Sequence, residues 1–145
     1  MDRREGTWTW RPHGTPTPLL VHTRDGDAVV RVAGDEHAVA GGDTLLWAAG
    51  ARQDFGCDAP WEIVWAHFRP REHWDDLLRW QGLGGGVGRI PAPPSRPRGR
   101  IQAALIDMDR SAHSGSRRAA DFALNALERA LLWLDGRQPR PAAAR

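Results

Sequence analysis

Apolar and polar positions divide the chain in two. The first half carries short apolar runs broken by glycine, proline and aspartate, and the second carries apolar residues at helical spacing. After an irregular start at Arg11-Pro12-His13-Gly14, with Pro16 and Pro18, Leu19-Leu20-Val21-His22-Thr23 reads as a short strand. It ends at Asp25-Gly26, a hairpin signal. A valine-rich run over residues 28–32 closes at Gly34-Asp35. His37-Ala38-Val39 precedes Gly41-Gly42-Asp43, and residues 44–48 lead through Gly50 to Gln53-Asp54-Phe55-Gly56. Turn residues at intervals of roughly eight to twelve positions predict a small antiparallel sandwich or barrel. Residues 61–68 form the longest strand signal. Trp61, Ile63, Trp65 and His67 alternate with Glu62, Val64, Ala66 and Phe68, so both faces are largely apolar and the strand belongs inside a sheet. The odd face, with two indoles beside a histidine, can line a pocket or simply fill a core. Arg69-Pro70 ends the strand, because proline supplies no ladder donor.

Beyond this corner residues 72–80 read as a helix of about two turns, with Trp74, Leu77 and Leu78 on one face. Residues 82–88, mostly glycine, read as a flexible loop, and the proline-rich residues 91–97 resist regular structure. Ile101, Ala104, Leu105 and Met108 predict a helix over residues 100–110. A second helix is predicted from near Ser116 to Asp135, stopped by Gly136. On it Ala120, Leu124, Leu127, Leu131 and Leu134 form one apolar seam suited to packing on the barrel. Phe122, Asn125, Arg129 and Leu132 form a mixed face left for a partner helix. The division expected is a barrel over residues 1–97, a helical segment over 98–136, and the start of a linker over 137–145.

At 145 residues the chain has one domain's length and can bury a core without staples. Its single cysteine, Cys57, rules out an internal disulfide and a cysteine-based zinc site. Residues 1–5 lead into Thr7-Trp8-Thr9-Trp10 rather than an apolar run, and no window approaches a membrane span, so a cytoplasmic location is expected. The formal charge is only +2, and all 20 Lys/Arg positions are arginine. This bias fits genome composition better than nucleic-acid binding, and Arg96, Arg98 and Arg100 read as a solvated strip.

The string Trp65-Ala66-His67-Phe68-Arg69-Pro70-Arg71, followed by Trp74 and Leu78-Arg79-Trp80, resembles the amino-terminal domain of the AraC family of transcription regulators. So does Asn125-Ala126-Leu127-Glu128-Arg129-Ala130-Leu131-Leu132. Arg11-Pro12 and Gly41-Gly42-Asp43-Thr44-Leu45-Leu46 fit the same pattern in the same order. The resemblance implies a mainly β fold, a cupin-like jelly-roll barrel, followed by two packed helices. It implies a sugar effector bound in the barrel, a homodimer formed through the helices, and a linker to a helix-turn-helix DNA-binding domain. No recognition helix is legible here, so DNA contact is expected only through that further domain. By the same resemblance Arg11 matches the arginine that hydrogen-bonds the sugar and Trp65 the indole on which its ring stacks, a pairing that suits a pyranose. Phe55 stands where the family has a tyrosine and Ile63 where it has a histidine. Losing two polar partners, at ~1 kcal/mol or more each, implies that arabinose is not the tight ligand. Thr23 and His67 complete the candidate ligand contacts. The family's amino-terminal arm would lie ahead of Met1, leaving only residues 3–10. At the dimer face the family's leucine-asparagine-leucine knobs fall on Asp121, Asn125 and Leu132, beside Phe122 and Arg129. An acidic first knob near a two-fold axis weakens the contact unless Arg117, Arg118 or Arg129 of a partner answers it.

Two alternatives remain at this stage: a stand-alone barrel enzyme acting on a small carbohydrate or acid, and a barrel that only dimerises. His22, His37 and His67 lack the spacing of a metal-binding cluster, so neither metal nor cofactor is expected. The glycine run matches no phosphate-binding frame, and Asp107 and Asp109 point to different faces of their helix. A non-enzymatic sensor is the reading these residues favour.

Overall fold

The computed structural model describes residues 1–136; the linker expected over 137–145 lies outside the described residues. Ten strands form two antiparallel sheets: β1 (Asp2–Arg4), β2 (Thr7–Arg11), β3 (Leu19–Gly26), β4 (Ala28–Val32), β5 (Asp35–Val39), β6 (Thr44–Trp47), β7 (Gln53–Cys57), β8 (Trp61–His67), β9 (Gly82–Gly84) and β10 (Val87–Ile90). The larger sheet runs β1-β8-β3-β6-β10-β9 and the smaller β2-β7-β4-β5. Two helices follow, α1 (Ser95–Ala112) and α2 (Ala119–Asp135). This is the jelly-roll barrel with a helix pair that the sequence predicts.

The larger sheet is buried on both sides, which explains the doubly apolar pattern of β8. Leu19, Val21, Leu45, Trp47, Trp61 and Ile63 face the barrel interior and meet Val30, Val32, Phe55 and Cys57 of the smaller sheet. The intervening residues Leu20, Leu46, Val64, Phe68 and Ile90 face the helices and meet Ile101, Leu105, Met108, Leu127, Leu131 and Leu134. On α2 the seam holds at Leu127, Leu131 and Leu134. Leu124 is half-buried and Ala120 exposed, while Ala126 and Ala130 join the core. The short loop after α1 turns on Gly115, at φ 72°, and returns α2 alongside α1.

Several local expectations are corrected. The helix expected over residues 72–80 is two single 3-10 turns, Glu72–Trp74 and Asp76–Leu78. The buried Trp74 anchors the first, its indole donating to Glu128 Oε1 at 2.5 Å. The glycine-rich loop is instead the β9–β10 hairpin, whose bend uses Gly84, Gly85 and Gly86, all at positive φ. A Cβ on Gly88 would stand 2.8 Å from Cβ of Trp80, so glycine there lets the Trp80 side chain lie against the strand. Helix α1 begins at Ser95, inside the proline-rich strip, because Pro97 falls in the first turn, where no backbone N–H is needed. Helix α2 begins at Ala119; Ser116 ahead of it closes a separate turn through Ala119 N–H, 3.1 Å from its carbonyl. Arg11, expected in the irregular start, closes β2, which pairs with β7, and β1 ahead of it pairs with β8.

Candidate functional site

The barrel interior is filled where a pocket was expected. Trp47 and Phe55 stack with ring centroids 4.7 Å apart, and Phe55 meets Trp61 edge-on at 6.0 Å. The Trp61 indole donates to Thr23 Oγ at 3.0 Å. Three of the candidate ligand contacts, Thr23, Phe55 and Ile63, are therefore packed core residues with at most 3% of their surface exposed. Phe55 and Ile63 consolidate this core.

The other three candidates sit at the open end. Trp65 shares the interior-facing side of β8 with Trp61 and Ile63 but keeps 41% of its surface exposed. His67, also exposed, meets it edge-on with ring centroids 5.6 Å apart. Arg11, at the end of β2, donates from Nη1 to Gln53 Oε1 at 2.7 Å, and the buried Gln53 donates in turn to Thr15 Oγ at 3.0 Å. That chain fixes the guanidinium near His67. Partial burial, and after it the Arg11 charge, hold the His67 imidazole below its ordinary pKa, so it is neutral near pH 7 and able to donate and accept hydrogen bonds.

A groove of about 730 Å³ opens beside these residues. Beside it β1 pairs with β8 from Trp61 to Ile63, and β3 pairs along the other edge of β8 from Trp61 to His67. Its walls are Trp65, Ala66, His67, Phe68 and Arg69 from the strand side, and Met108 on α1 with Leu124 and Leu127 on α2. Sequence reasoning assigned the helical residues to a packing seam. Leu124 and Leu127 of that seam also border the groove, together with Met1 and Asp2. Gln53, which holds Arg11, was likewise missed; a polar residue on a barrel strand, buried and opposite Arg11 in the β2–β7 register, is the signal that could have found it.

The outward side of α2 carries Phe122 and Leu132, each 56% exposed, and Trp133 at 40%, which the sequence reading omitted. The polar members of this face already have partners within the chain. Asn125 Oδ1 accepts from Arg71 at 2.8 Å, Arg129 reaches Asp107 at 2.7 Å, and Asp121 meets Arg118 of the same helix end at 3.2 Å. Asp121 is thus answered from its own chain. Among the described residues no three His, Cys, Asp or Glu side chains converge as a metal site, and no helix is long and apolar enough to cross a membrane.

A two-sheet barrel with a groove bounded by its own helix pair is a cupin-like ligand-binding domain. The chain belongs to the AraC-like ligand binding domain family, whose model matches residues 2–132. It is similar to the arabinose operon regulatory proteins of Salmonella typhimurium, at 29% identity over 126 residues, and of Escherichia coli, at 32% over 81 residues. These alignments cover 84% and 54% of this chain but only 44% and 28% of those proteins, so it spans less than half of their length. Among solved structures, apo ToxT from Vibrio cholerae shares the fold with a TM-score of 0.50 at 8% identity, over 92% of this chain and 50% of that one.

Proposed function

We propose that this domain senses a sugar or sugar-like metabolite and dimerises, and that it thereby controls a helix-turn-helix DNA-binding domain elsewhere in a longer regulator. The observation that carries the reading is Trp65, a large exposed indole at the groove mouth in a chain of the AraC-like ligand-binding family. A pyranose presents a C–H face that packs on an aromatic plane and a rim of hydroxyls for directional donors. Trp65 supplies the plane. Arg11 and the neutral His67 supply the donors and an acceptor. Thr23, Phe55 and Ile63 pack inside the barrel, so the effector is held at Trp65 and not among them, and arabinose is not the tight ligand. The homodimer forms through Phe122, Leu132 and Trp133 of α2, with Asn125 and Arg129 at its margin. The role is regulatory, not catalytic.

A thermal-shift screen of the purified domain against pentoses, hexoses and their acids tests this directly. A ligand at about a hundred times its Kd adds about 2.7 kcal/mol to stability, and Trp65→Ala abolishes the shift. If no compound moves the melting point and the domain is nonetheless a tight dimer by sedimentation, it is an assembly module and the sensing role fails.

A further inference from the structure

A sugar hydroxyl both donates and accepts, so a site for a neutral sugar supplies acceptors as well as donors. The open end of the barrel is short of acceptors. The side-chain oxygens that flank Arg11, Trp65 and His67 are already engaged. Gln53 spends Oε1 on Arg11 at 2.7 Å and Nε2 on Thr15, whose hydroxyl donates on to the Thr17 carbonyl at 2.8 Å. Thr23 Oγ takes the Trp61 indole N–H. Asp54, on the outward side of β7, takes that of Trp8 at 2.6 Å. What remains is one ring nitrogen of the neutral His67, against the N–H groups of Arg11 that Gln53 does not use.

Charge is unbalanced in the same sense. Among the described residues Arg11 forms no ion pair, and neither does Arg52, whose guanidinium lies 5.4 Å from the centre of the Trp10 ring. Arg11 stands close enough to His67 for its charge to act on that ring. The residue that orients Arg11 is an amide. Glutamate at position 53 would hold the guanidinium and cancel its charge; glutamine, fully buried, holds it and leaves the charge whole. A fixed, uncancelled positive charge among spare donors suits a ligand rich in acceptors. We propose that the effector is a sugar acid, with a ring that stacks on Trp65 and a carboxylate held by Arg11. Gln53 is the positioning residue for that contact. This rests on the reading of Trp65 as the surface on which the effector's sugar stacks, and it names the charge the sugar carries.

Titration calorimetry at pH 7 with matched pairs, the methyl glycosides of D-galactose and D-galacturonate and those of D-glucose and D-glucuronate, separates the two readings. At least one acid is expected to bind tenfold or more tighter than its neutral partner, about 1.4 kcal/mol. Arg11→Gln, at an exposed position, brings the acid down to the affinity of that partner. Gln53→Glu does the same with the arginine still in place, because the new carboxylate answers its charge. Trp65→Ala weakens acid and neutral sugar alike. Gln53 is buried, so circular dichroism accompanies its variant, and if that variant fails to fold Arg11→Gln decides alone. Equal affinity of acids and neutral sugars overturns the inference and leaves the sugar reading standing. An acid preference that survives Arg11→Gln, or a folded Gln53→Glu, overturns it too. Acetate binding as tightly as the uronates overturns it by removing the sugar from the site. If none of the glycosides binds, the inference falls together with the sugar reading.

Discussion

Lowering the pH from 7 to 5 should destabilise this domain chiefly through His22. Its ring is fully buried between the larger sheet and α1, with Nδ1 2.8 Å from Thr44 Oγ. Burial, and then the charges of Arg98 and Arg24, lower its pKa from 6.5 to about 4, against a smaller opposing effect of Asp43. The folded protein therefore refuses a proton that the unfolded chain accepts. Stability rises with pH wherever the unfolded state binds more protons, so this contribution is intact above pH 6.5 and is lost as the pH falls toward 4. Between those two values the loss amounts to about 2 kcal/mol at pH 5 and approaches roughly 3 kcal/mol at lower pH. Urea unfolding followed by tryptophan fluorescence, at fixed protein concentration and at pH 7 and 5, measures it. The double variant His22→Leu/Thr44→Val removes the titrating ring without stranding the hydroxyl, and should cut the difference between the two pH values by about 2 kcal/mol. His67, also lowered, adds a loss of the same sign that the variant retains. A double variant as acid-sensitive as the parent would refute the assignment, as would an NMR titration showing the His22 imidazole protonated at pH 5.

Other expected outcomes follow from single contacts. Thr23→Val strands the buried Trp61 indole N–H and should cost ~1–3 kcal/mol in urea unfolding. Leu131→Ala opens a cavity where α2 meets the sheet, for a loss of ~2–5 kcal/mol in the same assay. Hydrogen bonds from Trp74 and then His73 hold the Glu128 carboxyl below its ordinary pKa, so its stabilisation is present above the usual carboxylate range and disappears as pH falls through the lowered value. Glu128→Gln should flatten that part of the acid unfolding curve. Leu132→Asp, at a residue 56% exposed, should leave the thermal melt of the monomer unit unchanged while shifting sedimentation toward monomer.

Strands β3 to β8, their order of appearance and the seam at Leu127, Leu131 and Leu134 were legible because burial on one or both faces writes itself into spacing. β8 is the clearest case: its two apolar parities meant two different cores, and both exist. The hairpin at Gly82–Gly84 and Val87–Ile90 was not legible, since glycine runs signal freedom and the partner that uses the freedom, β6, is far away in sequence. For the candidate site the limit was depth. Spacing places Trp61, Ile63 and Trp65 on one side, but only the assembled barrel shows that the first two are plugged by Phe55 and Trp47 while the third meets solvent.

Because β8 serves two compartments by parity, its odd and even positions can drift under separate pressures. Exchanges at Trp65 or His67 change the exposed surface at the open end, while Val64, Ala66 and Phe68, which touch the helices, keep their shape. Point substitution can therefore alter the surface at this end and leave the packing on the helices intact. The same arrangement forbids the gain or loss of a single residue along the strand, since a one-step slip would exchange the two compartments wholesale.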